Sequence, residues 1–147
     1  MKVIPLITVC LNRKTDIFTL IRHFQDKEFG FCSIYGNLIE VDMDRMKEGG
    51  LNIILRDLRE FSDRAEPLDS ENAQFDKMSS SERAKFYKQN KSVSITLRDG
   101  QLWIVPLIPG RNNSTIGYAE QAVKIPIEQT NVQEFYEKLM GQYETLP

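Results

Sequence analysis

The chain has one histidine and two cysteines, and those counts decide much of the chemistry open to it. His23 stands alone, so a Ser-His-Asp relay, a His-ligated metal or a histidine pair doing acid–base work lacks its companions. Cys10 and Cys32 lie in apolar runs and are too few for a disulfide framework, so both read as reduced core thiols. Nothing around Cys32 resembles an activating turn or helix start, which leaves a Cys32–His23 nucleophile pair without support. Glu40, Asp42, Asp44 and Glu48 cluster in sequence, and on a strand Glu40 and Asp42 would face the same way. Paired carboxylates can hold a hard cation or share a proton. They serve equally as an exposed strand edge and as helix caps, and that is the reading taken here. Gly30, Gly36, Gly49 and Gly50 are scattered and form no phosphate-cradling loop. The chain is expected to be no enzyme, with no catalytic residues, cofactor or metal.

Charge is more informative. The net value is only −2, but seven acids between Asp57 and Asp76 face Arg59 and Arg64 alone, for a local −5. From Arg83 to Lys124 seven bases face Asp99 and Glu120, for a local +5. An acidic strip beside a basic one can steer a charged partner. The basic half also holds Phe86, Tyr87, Trp103 and Tyr118. Cations that track phosphates beside rings that stack on bases suit a single-stranded nucleic acid. Against this, the whole chain is acidic, no RNA-module signature occurs, and Trp103 lies mid-strand, where core packing is the default. Nucleic-acid binding through 83–124 is therefore the alternative reading, and a carboxylate-centred hydrolase ranks behind it.

The elements that must position these groups follow from periodicity. At 147 residues the chain is one domain, able to bury a real core. Its longest apolar run, Leu102 to Ile108, is far short of the roughly 20 residues that span a membrane. The N-terminal apolar stretch is short and lacks a small-x-small cleavage site, so no signal peptide is expected and the location is taken as cytoplasmic. Two overlapping sequons in Asn112-Asn113-Ser114-Thr115 carry no weight without a secretory context.

Lys2 to Leu11 reads as a strand, with Pro5 pushing it toward a sheet edge. Thr15-Asp16 is a good cap, and Ile17, Leu20, Ile21 and Phe24 follow at helical spacing. Phe29–Tyr35 and Leu38–Val41 read as a hairpin around Gly36-Asn37. A helix capped by Asp42 or Asp44 shows Leu51, Ile54, Leu55, Leu58 and Phe61 on one face, with Gly49-Gly50 delaying or bending it. The acidic loop, about 63–78, divides the domain into two halves.

Ser79-Ser80-Ser81-Glu82 is a capping box for a helix to about Gln89. Val93–Leu97 and Leu102–Ile108 pair around Asp99-Gly100, with Ser92, Ser94 and Thr96 expected on a wet face. The loop Pro109-Gly110-Arg111-Asn112-Asn113 follows, with Tyr118 after it, and offers adaptable polar groups and an aromatic for partner contact. Ala122–Ile127 is a further strand. Val132, Phe135, Tyr136, Leu139, Met140 and Tyr143 form the apolar face of a last helix. The order β-α-β-β-α-α-β-β-β-α indicates an α+β fold with a mostly antiparallel sheet.

The stretch "FDKMSSSERAKFYKQNKSVSITLRDGQLWIVP", then a glycine-containing loop, "AVKIPI" and a closing amphipathic helix resembles the immunity proteins of bacterial contact-dependent growth inhibition (CdiI-type) systems. The resemblance spans most of the chain. It implies a cytosolic binding protein that neutralises a cognate toxin domain, often a nuclease, by covering its active site or substrate channel. Glu60, Asp63, Glu66, Asp69 and Glu71 would then meet the cations with which a nuclease grips phosphate. Phe75 and Tyr118 are candidate anchors, and Arg111 and Asn112 candidate loop contacts.

Overall fold

The computed structural model describes residues 6–26, 30–62, 80–109 and 115–146, with 6, 22–26, 30–38, 57, 60–62, 80, 83, 109 and 115 described by backbone alone. The elements run β1 (Leu6–Asn12), β2 (Ile17–Asp26), β3 (Gly30–Asp42), α1 (Met43–Ser62), α2 (Ser80–Gln89), β4 (Asn90–Arg98), β5 (Gln101–Pro109), β6 (Thr115–Gly117), β7 (Val123–Pro126) and α3 (Val132–Glu144). Every strand pairing is antiparallel, in the order β3-β2-β1-β4-β5-β6 with β7 also on β5. The fold is α+β. The helical pattern expected over 17–24 and the hairpin expected around Gly36-Asn37 are both corrected, so the chain opens β-β-β instead of β-α-β-β.

The first correction has a clear cause. Thr15-Asp16 is a hairpin turn: Asp16 has φ 54 and its amide donates to the Asn12 carbonyl at 2.8 Å. Phe18 and Leu20 of β2 face the main core, while Thr19 and Ile21 are buried on the opposite face. With both faces covered, the alternation that marks a half-wet strand is lost. The Gly36-Asn37 region sits instead inside one long strand. Leu20 pairs with Ile39 and Arg22 with Ile34, so the extra β3 residues form an irregularity in which glycine is at home.

β1 is not an edge strand, because it pairs with β2 on one side and β4 on the other. Pro5 itself lies outside the described residues. Pro106 solves its missing donor differently. β7 pairs with β5 through Ile104 and β6 from Leu107, and Pro106 falls at the break between them. Its carbonyl accepts from the Tyr118 amide at 2.8 Å, and its nitrogen faces the same gap, where no ladder bond is needed.

One sheet face carries Ile7, Val9, Leu11, Phe18, Leu20, Val93 and Ile95 against Met46, Ile54 and Leu58 of α1 and Phe135, Leu139 and Tyr143 of α3. Each large side chain so buried contributes about 1.5–3 kcal/mol. The helix α1 runs unbroken through Gly49-Gly50, and a side chain at Gly50 would run into Met46 beneath it. On α3 the sequence pattern holds and one polar residue joins it. Buried Gln142 donates its amide to the carbonyls of Ile104 and Gln121 at 2.7 and 2.6 Å, closing the gap beside β7.

The other sheet face is also covered. Phe86 of α2 packs on Cys10 and Ile21, and Ser92, Ser94 and Thr96 are buried where a wet face was expected. The turn Asp99-Gly100 adopts φ 51 and 73, the left-handed pair that a two-residue hairpin requires.

Candidate functional site

The residues chosen from sequence for partner contact fall in three places. Asp63, Glu66, Asp69, Glu71, Phe75, Arg111 and Asn112 lie outside the described residues. Glu60 occupies the last turn of α1, described by its backbone. Tyr118 follows β6 and is 40% exposed, beside Ile116 at 55% on the same edge of the sheet. These two are the large exposed apolar side chains among the described residues.

Of the carboxylates considered for catalysis, Asp42 has a structural role. Asp42 caps α1, its Oδ1 accepting from the Arg45 amide at 2.7 Å. Glu40, Asp44 and Glu48 are exposed, and no cluster of three His, Cys, Asp or Glu able to hold a metal is found among the described residues. Cys10 Sγ lies 3.3 Å from Ser92 Oγ in a fully buried site. Burial pushes its thiol up to about 12, only partly opposed by the Ser92 bond, which is the reverse of what a nucleophile needs. In the β2–β3 ladder His23 is opposite Ser33 and Cys32 opposite Phe24, so the two are not cross-strand partners.

The basic half of the sequence separates into two clusters. At one end of β4, Arg98 and Lys124 attend the Trp103 ring at 5.5 and 4.0 Å from its centroid. Trp103 is thus half-buried on the face away from the main core, a correction to the core position expected for it. Strand pairing explains the grouping, since β5 sets Trp103 opposite Thr96 of β4 and Lys124 of β7.

At the other end a cationic cleft opens. β1 runs out at Asn12, opposite Asn90, and its exposed turn carries Arg13 and Lys14. The helix α2 passes into β4 at Asn90 without a linker, and the Asn90 side chain donates to the Phe86 carbonyl at 2.9 Å. The last turns of α2 therefore meet the β1 turn. Arg13, Lys14, Lys85, Lys88 and Lys91, with Leu11, Gln89 and Asn90, line a cleft of about 530 Å³. Lys91 also donates to the Leu146 carbonyl at 3.4 Å, reaching toward the end of α3. Among the described residues, Arg13, Lys14, Lys85 and Lys88 are not paired with a carboxylate.

Sequence reasoning found the lysines of this cleft and missed Arg13 and Lys14. They lie some seventy positions earlier and join the cluster only through the β1–β4 ladder. The available signal was "NRKTD" as a hairpin turn, which the helical reading of the next segment concealed.

No protein-family model matches the chain, nor does any curated protein. Solved structures do match it in fold. A protein of unknown function from Neisseria meningitidis aligns over 100% of this chain and 98% of its own, with a TM-score of 0.66 and 15% identity. A chain of a CdiA-CT/CdiI toxin and immunity complex from Yersinia pseudotuberculosis aligns over 97% of both, with a TM-score of 0.66 and 13% identity. What is shared at these identities is the fold. No helix among the described residues is long and apolar enough to cross a membrane.

Proposed function

We propose that this chain is an immunity protein, a non-enzymatic inhibitor that binds a cognate bacterial toxin domain and covers its active site or substrate channel. The observation that carries this reading is the likeness, over nearly the whole of both chains, to a chain of a toxin and immunity complex. The residues add support. The buried thiol is held inert, the exposed Asp42 caps a helix, and among the described residues the surface offers cations without carboxylate partners and an exposed Tyr118. Because it must meet a toxin delivered from a neighbouring cell, the protein acts in the cytoplasm. A nuclease is the toxin class that best matches the acidic strip, since carboxylates there compete with the phosphates a nuclease grips. Glu60, Asp63, Glu66, Asp69 and Glu71 are the first contacts to test, with Phe75 and Tyr118 as anchors and Arg111 and Asn112 at the rim.

The test is growth. The toxin region encoded immediately upstream is expressed in a naive bacterium with and without this protein. Arrest that this protein relieves supports the proposal. Toxicity that persists in its presence, or absence of any toxicity, overturns it for that gene pair.

A further inference from the structure

We infer that the cleft between the β1–β2 turn and the end of α2 is an anion-recognition site that takes the carboxylates of an acidic segment on the protein partner. Only the identity of that partner rests on the immunity reading; the chemistry of the cleft does not. Among the described residues five cations line it and no acid does. Four of them, Arg13, Lys14, Lys85 and Lys88, are exposed and have no carboxylate partner among the described residues. Like charges held this close repel one another in the free protein, so an anion that enters relieves that repulsion as well as making new contacts.

The cleft's size and lining select among anions. At about 530 Å³ it falls in the range of ligand pockets and is far larger than one phosphate needs. Its cations are mostly lysines, point charges on flexible stems that suit several carboxylates in varied positions better than the fixed geometry of a single oxyanion. A nucleic-acid strand would call for rings on which bases can stack. Among the described residues none lines the cleft: Phe86 is packed on Cys10 and Ile21, and Tyr87 lies edge-on to Phe86. Trp103 belongs to the other end of β4, with its own two cations. An acidic protein segment therefore fits best. The cleft's positive charge makes it selective for a partner that presents carboxylates.

The test uses the full chain and two labelled probes of equal charge, an acidic Glu/Asp decapeptide and an oligouridylate, with binding read by fluorescence anisotropy. Lys85→Glu/Lys88→Glu, on exposed helix positions, lowers the charge of the five-cation cleft from +5 to +1. Lys47→Glu/Lys138→Glu makes the same net-charge change on exposed positions of α1 and α3, across the sheet from α2. The expected result is peptide binding that falls about tenfold or more in the cleft variant and stays within about twofold in the control, weakening steeply with salt. Equal losses in both variants would reduce the effect to net charge and overturn the proposal. So would no peptide binding at low salt, or tighter binding of the RNA lost in the cleft variant. Growth relief by the wild-type protein reads the immunity proposal separately, so either idea can fail alone.

Discussion

The Tyr143 hydroxyl donates to the Val9 carbonyl at 2.6 Å, and both residues are fully buried. This bond ties the last helix to the middle of the sheet across almost the whole length of the chain, beside the Phe18 ring at 6.1 Å. It makes the C-terminal helix part of the core instead of an appendage. Tyr143→Phe keeps the ring and removes the donor, so unfolding in urea should show a loss of about 1–2 kcal/mol with an unchanged slope.

The Asp42 cap separates a structural role from a catalytic one. Asp42→Ala removes the acceptor for the Arg45 amide and should cost about 1 kcal/mol of stability. Asp44→Ala, at an exposed position in the first turn, should cost less. A hydrolase centred on these carboxylates would give the opposite signature, an activity abolished with stability unchanged.

Alkaline conditions should weaken the fold through two buried acids. Burial pushes the Cys10 thiol from an ordinary 9.0 up to about 12. It also holds Tyr143 well above its ordinary 10.0, with the Cys10 charge adding to the rise and Arg13 opposing it. The unfolded chain releases these protons first, so the stability present below pH 9 is lost as pH climbs toward 12. The thiol alone gives a slope of about 1.4 kcal/mol per pH unit. Urea unfolding between pH 8 and 11 measures it, and Cys10→Ala should flatten the onset above pH 9.

Thr96 is the reverse of a stabilising polar residue. Its Oγ1 is buried and has no hydrogen-bond partner among the described residues. Thr96→Val keeps the branched shape on β4 and removes the unsatisfied hydroxyl, so it should raise stability by about 1 kcal/mol, read as a higher urea midpoint. A loss of stability would mean that the hydroxyl has a partner in solution.

Legibility in the sequence followed the local signals. Asp99-Gly100 announced its hairpin because only residues at ease with positive φ make that turn, and α3 announced itself because just one of its faces is packed. The spacing of Ile17, Leu20, Ile21 and Phe24 fits a helix equally well as a strand buried on two sides, and only pairing with β1 and β3 decides between them. The burial of Ser92, Ser94 and Thr96 was hidden for a related reason. Small hydroxyl residues mark wet faces in most sheets, but here α2 returns over the Cys10–Ser92 end of that face. The site was legible as charge and not as geometry. Lys85, Lys88 and Lys91 stood out as a basic run, whereas Arg13 and Lys14 reach them only through a ladder that local pattern cannot announce.

The most direct measurement mixes the purified protein with the purified C-terminal domain of the upstream gene's product, if that domain proves toxic in the growth test, following complex formation and toxin activity in the same titration. The account predicts a stable stoichiometric complex, with toxin activity falling in proportion to the fraction bound. A toxin that stays fully active at saturating protein, or no complex at all, would contradict it.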